Sequence, residues 1–181
     1  IYRAIDLFDR GIKCGKETAE DIFWRTKHQK MLLYSQIGKS RENIASALRI
    51  IENGSQDPED WICLIAAYRY AGEEEKAYEW FIKAIRKFPD KAALYIYGGD
   101  ACKKLGRYEE ALSCWDKALE IDSSFYDAKY SKISYYEEIG DYEAAYKIWC
   151  EVIKGLRESG YHIEAAADEK QARACLDKIR K

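Results

Sequence analysis

Proline occurs only twice in these 181 residues, and histidine only twice. So few breakers leave long stretches free to be helical, and abundant Ala, Glu, Lys and Leu favour the same outcome. No apolar run approaches the roughly 18 residues of a membrane span, and no secretory leader pattern is visible. Charge has no dominant sign: 30 Lys and Arg stand against 32 Asp and Glu, for a formal net charge of −2. That balance gives no electrostatic footprint for nucleic acid or an anionic membrane. The six cysteines, Cys14, Cys63, Cys102, Cys114, Cys150 and Cys175, form no CxxC pair. Without metal-site spacing they read as small buried hydrophobes in a reducing compartment, which places the chain in the cytoplasm. His28 and His162 lie far apart, and no nucleophile-and-base signature, P-loop, dinucleotide fingerprint or HExxH occurs. No catalysis, cofactor or metal is expected. The first residue is Ile, which suggests a trimmed chain or one domain of a larger protein.

What is present is a period. Gly38, Gly72, Gly106 and Gly140 are each 34 residues apart. The same step links Ile51, Ile85, Leu119 and Ile153; Tyr34, Tyr68, Cys102 and Tyr136; and Phe81, Trp115 and Trp149. A fixed period of this length means stacked supersecondary units, none able to bury its apolar face alone. Residues 58–91 show what one unit is. Asp57 is an N-cap and Pro58 suits the first helical turn. Trp61, Leu64, Ile65 and Tyr68 follow at i, i+3, i+4 and i+7, one face of a helix. Gly72 ends that helix at the C′ position. Ala77, Phe81, Ala84 and Ile85 make the stripe of a second helix, which Phe88-Pro89 closes. The unit is a helical hairpin with small residues where its helices meet. Gly98-Gly99 falls within such a stripe and reads as a close packing point, where a local kink is an alternative.

This unit resembles the tetratricopeptide repeat, whose pattern Trp61, Leu64, Tyr68, Ala77, Phe81, Ala84 and Pro89 match in register. Residues 92–125 match through Tyr95, Gly99, Gly106, Ala111, Trp115 and Ala118, departing at Gly98, Cys102 and Ser123. Residues 126–159 keep Tyr136, Gly140, Ala145 and Trp149, and residues 24–57 form a degenerate unit. Residues 1–14 read as a lone second helix through Ala4, Phe8 and Gly11, and 1–23 also holds the start of the next helix at Thr18. Residues 160–181 read as a C-terminal capping helix, with an apolar stripe of Ile163, Ala166, Ala167, Ala174, Cys175, Leu176 and Ile179. The expectation is one all-α array over 1–181, an α-solenoid of about ten helices. The resemblance implies a right-handed superhelix.

In arrays of this family, one side of each first helix lines a concave groove. At about 100° per residue, the side opposite the packing stripe takes repeat positions 2, 5, 6, 9, 12 and 13. The candidates there are Ile62, Ala66, Arg69 and Tyr70; Ile96, Tyr97, Asp100 and Lys103; and Tyr130 and Glu137. The middle of that list is apolar and aromatic, as a site for a peptide segment would be. Arg69, Lys103 and Lys104 precede acidic Asp127, Glu137 and Glu138, so a bound segment should carry basic residues near the last repeat. Family members that grip chaperone C-terminal tails use a carboxylate clamp of Lys, Asn, Asn, Lys and Arg on this side. Ile62, Ala66, Tyr97, Asp127 and Ser131 stand at those positions, so a chaperone tail is not expected. The reading is a non-catalytic protein-interaction scaffold with a protein or peptide partner and no nucleic acid. A self-association module, or the regulatory domain of a larger protein, is the alternative.

Overall fold

The computed structural model describes residues 40–180. Its elements are eight α-helices: α1 Ser40–Glu52, α2 Pro58–Tyr70, α3 Glu74–Lys87, α4 Ala92–Lys104, α5 Tyr108–Ile121, α6 Tyr126–Ile139, α7 Tyr142–Glu158 and α8 His162–Ile179. Helix α1 is the second helix of the 24–57 unit, and three full hairpins follow as α2/α3, α4/α5 and α6/α7. The expected helix over 1–14, and the one beginning near Thr18, lie outside the described residues.

Each hairpin follows from local chemistry. The Asp57 carboxylate accepts a bond from the Glu59 amide at 3.0 Å, and Pro58 opens α2. At the other end Gly72 has φ 74°. There the Gly72 amide donates to Arg69 O and the Glu73 amide to Tyr68 O, both at 3.0 Å. These are the paired bonds of a Schellman turn, which needs a left-handed residue and so selects glycine. The same pair recurs at Gly106 and at Gly140. The glycine column is therefore the turn inside each hairpin.

The core runs along the stack as successive apolar clusters. Leu64 and Ile65 of α2 have no exposed surface and cluster with Ala77, Phe81 and Ala84 of α3. Each fully buried side chain of this size contributes roughly 1.5–3 kcal/mol. Trp115 of α5 is fully buried with Ala111, Ala118 and Ala128. Ile133, Ala145, Trp149 and Val152 serve α6 and α7. Gly98 and Gly99 let α4 sit close to its neighbours. A Cβ on Gly98 would lie 2.5 Å from the Phe81 ring, and one on Gly99 would lie 2.5 Å from Trp115 Nε1. First helices also touch across units, α4 meeting both α2 and α6.

Helix α8 differs from its expected stripe. It docks on α7 through Ala165, Ala172 and Cys175, with Leu176 and Ile179 half-buried. Ile163, Ala166, Ala167 and Ala174 are exposed instead. The single stripe read from the sequence thus mixed two sides of the helix, and α7 takes the side rich in small residues.

Candidate protein-binding groove

The first helices α2, α4 and α6 bring their outward sides together around a cavity of about 540 Å³. Helix α2 supplies Arg69 and Tyr70, α4 supplies Ala93, Ile96, Tyr97, Asp100, Lys103 and Lys104, and α6 supplies Asp127, Tyr130, Ser131, Ser134 and Glu138. Phe125, from the turn before α6, also lines it. Seven of the ten sequence candidates line this space: Arg69, Tyr70, Ile96, Tyr97, Asp100, Lys103 and Tyr130. Ile62 and Ala66 do not, being 0% exposed within the same cluster as Tyr97. They belong to the apolar core instead. Glu137 lies outside the lining and accepts a bond from Trp149 Nε1 at 3.2 Å.

Asp100 is the centre of the arrangement. Its Oδ1 accepts from Trp115 Nε1 at 3.1 Å and from Ser131 Oγ at 2.9 Å, while Oδ2 pairs with the Arg69 guanidinium at 3.1 Å. One carboxylate thus ties α2, α4, α5 and α6 together. Charge-assisted bonds of this kind are roughly twice as strong as neutral ones. The Arg69 guanidinium also lies 5.4 Å from the centre of the Tyr97 ring. Lys103 completes a second bridge, to Glu138 at 2.7 Å and Ser134 Oγ at 3.0 Å. That contact holds the Glu138 carboxyl below its ordinary range. Tyr130 donates to Asp168 of α8 at 2.7 Å.

The groove charges are thus largely engaged with each other. Arg69, Lys103 and Glu138 bridge helices, where the sequence reading placed them as steering charges for a partner. Burial raises the Tyr70 and Tyr97 hydroxyls above their ordinary range, so both rings stay neutral at physiological pH. Tyr130 rises as well, by burial first and then by its bond to Asp168. Ile96 and Tyr97 are themselves largely buried, so the surface offered mixes the rings of Tyr70, Phe125 and Tyr130 with polar groups, among them the exposed cation of Lys104 and the exposed carboxylate of Asp127. Phe125 escaped the sequence reading because a wheel drawn on one helix says nothing about the turn before it. Among the described residues no three His, Cys, Asp or Glu side chains gather as a metal site. No described helix is long and apolar enough to cross a membrane.

Residues 94–125, which span α4 and α5, match the family model of the tetratricopeptide repeat. The chain carries a tetratricopeptide repeat. Solved tetratricopeptide structures share the fold beyond those residues. A thermophilic TPR protein of Thermus thermophilus is similar at a TM-score of 0.70 and 16% identity, over 95% of this chain and 88% of that one. A tetratricopeptide repeat protein of Parabacteroides merdae gives 0.61 and 18%, over 99% and 77%. The MamA protein gives 0.56 and 16%, over 86% and 92%. No curated protein matches in sequence. Tetratricopeptide arrays are in general protein-interaction scaffolds and not catalysts, and this chain has that scaffold.

Proposed function

We propose that this tetratricopeptide array binds a protein partner by seating an extended or helical peptide segment in the groove of α2, α4 and α6. The observation that carries the reading is the composition of that concavity. Tyr70, Ala93, Phe125 and Tyr130 bring apolar and aromatic surface into one space of about 540 Å³, over the largely buried Ile96 and Tyr97. Helix sides turned away from their own packing stripe are polar unless something covers them. The Asp100 and Lys103 bridges hold the three helices in fixed relation, so the surface is pre-organised and loses little entropy on binding. The scaffold acts without catalysis, and the cytoplasm is its proposed setting on the cysteine spacing. Affinity capture with the intact chain and with Ala93→Arg, which fills the concavity from its wall, tests the reading. Partners recovered by the intact chain should be lost with a folded Ala93→Arg. Recovery of the same partners by both would move binding to another surface.

A further inference from the structure

Two repeat columns meet where successive first helices adjoin. One holds Arg69, Lys103 and Glu137, the other Asp100, Ser134 and Asp168, each 34 residues apart. Where α2 adjoins α4, the columns form an ion pair, Arg69 to Asp100 at 3.1 Å. Where α4 adjoins α6, Lys103 donates to Ser134 Oγ at 3.0 Å and pairs with Glu138 at 2.7 Å. Both junctions hold a cation. Where α6 adjoins α8, the same columns carry Glu137 and Asp168, two carboxylates. Each turns to a neutral donor: Trp149 Nε1 donates to Glu137 at 3.2 Å, and Tyr130 Oη to Asp168 at 2.7 Å. Such a donor satisfies an oxygen but leaves the negative charge in place. Both carboxylates are half-buried, where salt screens a charge less than at the open surface.

The other members of these columns, Arg69, Lys103, Asp100 and Ser134, all line the concavity of α2, α4 and α6. The third junction therefore continues that concavity towards α8, and Tyr130 joins the two by lining the one and donating to Asp168 in the other. We propose that the segment seated in the groove places a lysine or arginine side chain between Glu137 and Asp168, supplying the cation that the chain itself provides at the other two junctions. The proposal rests on the groove reading and adds the chemistry of the occupant. Adjacent helix axes lie about 8–10 Å apart, and an extended chain advances about 3.3–3.6 Å per residue. An extended segment then has its basic residue about three positions from the apolar side chain that meets Tyr70, Phe125 and Tyr130. The acidic end expected from Asp127, Glu137 and Glu138 is thus redrawn: Lys103 engages Glu138, and Asp168 of α8 takes its place beside Glu137.

Peptides selected from a random displayed library on the 181-residue chain, then titrated one by one, test this. They should carry Lys or Arg about three positions from an apolar side chain. The test variant is Glu137→Gln with Asp168→Asn, which removes both charges and keeps an oxygen acceptor for Trp149 and for Tyr130. Replacing a peptide's basic residue by Ala should weaken its binding to wild type about tenfold and its binding to the double variant hardly at all, since the charge it meets is gone. Added salt should weaken the basic peptide more steeply on wild type than on the double variant. Circular dichroism checks folding, and Asp168→Asn alone replaces the double variant if that chain loses helix. Enriched peptides without a basic residue overturn the proposal, as does a basic residue whose loss costs the same in wild type and variant. Either result leaves the groove reading standing when the peptides weaken with Ala93→Arg. Peptides indifferent to Ala93→Arg overturn the groove reading and this proposal together.

Discussion

Gly99→Ala places one methyl group where α4 approaches α5 closely. Its Cβ would lie 2.5 Å from Trp115 Nε1, 2.7 Å from Trp115 Cδ1 and 3.1 Å from the Ala111 carbonyl oxygen. The indole has nowhere to retreat, because Trp115 is fully buried and its Nε1 is bonded to Asp100 at 3.1 Å. The carbonyl belongs to the α5 backbone, so relief requires α4 and α5 to separate. Overpacking of this kind costs about 1–3 kcal/mol. Replacing a mid-helix glycine by alanine returns about 1 kcal/mol of helix propensity. Three contacts this short put the overpacking at the upper end of its range, so the net expectation is a loss of about 2 kcal/mol, read as a lower urea midpoint with an unchanged slope. Gly155→Ala is the internal control. Its Cβ would lie 2.6 Å from Tyr126 Oη, with the next contact at 3.5 Å. That oxygen is the far end of a half-buried side chain that can swing aside. Propensity then decides, and Gly155→Ala should be neutral or stabilising by up to about 1 kcal/mol. Equal stability of Gly99→Ala and wild type, or equal losses from both substitutions, would refute the packing argument.

Asp100→Ala should cost about 2–3 kcal/mol, because it leaves a half-buried guanidinium and an indole N–H without partners; urea unfolding reads the loss, and a cost near zero would remove Asp100 as the tie between units. Deleting residues 161–181 uncovers the α7 surface around Trp149, Ile153 and Leu156, each 100 Å² of which is worth about 2.5 kcal/mol. Hydrogen exchange should show protection falling first in α6 and α7, and unchanged protection there would mean that α8 is not a cap. Two carboxyls give opposite pH dependences. Lys103 holds Glu138 below 4.5, so its stabilisation is present above that value and is lost as pH falls through its lowered folded-state pKa. Burial raises Glu74 above 4.5, so its contribution is present below that value and is lost as pH rises through its folded-state pKa. Glu74→Gln should accordingly raise the melting temperature at pH 7 and not at pH 4, whereas Glu138→Gln should lower it at pH 7; the reverse pattern in thermal melts would contradict these assignments.

How far the sequence could be read depended on whether a feature was local. The glycine column announced the hairpin turns, because only a left-handed residue closes a Schellman motif and the chain repeats that need every 34 residues. Asp57 and Pro58 likewise marked the start of α2. The helix wheel brought seven candidates to one concavity, since each lies on the outward side of its own helix. It could not say what lies over a given face. Ile62 and Ala66 stand at the expected register positions but are wholly buried in the apolar core. Helix α8 carries two apolar faces, and the sequence does not say which of them α7 takes. The Asp100 bridge was not visible for a similar reason. Its partners Arg69, Trp115 and Ser131 come from three other helices, and no pattern within one helix reveals a contact among four. The close approach at Gly98-Gly99 was legible as packing, and the rings that fill the space, Phe81 and Trp115, belong to flanking second helices.

The central claim is that the concavity of α2, α4 and α6 receives a peptide segment. Selection of peptides from a random displayed library against the intact chain tests it most directly, followed by titration of the enriched peptides into wild type, Ala93→Arg and Ile163→Glu. The account predicts that the peptides bind wild type and Ile163→Glu alike and weaken about tenfold or more with Ala93→Arg. Peptides that bind Ala93→Arg as tightly as wild type would contradict it.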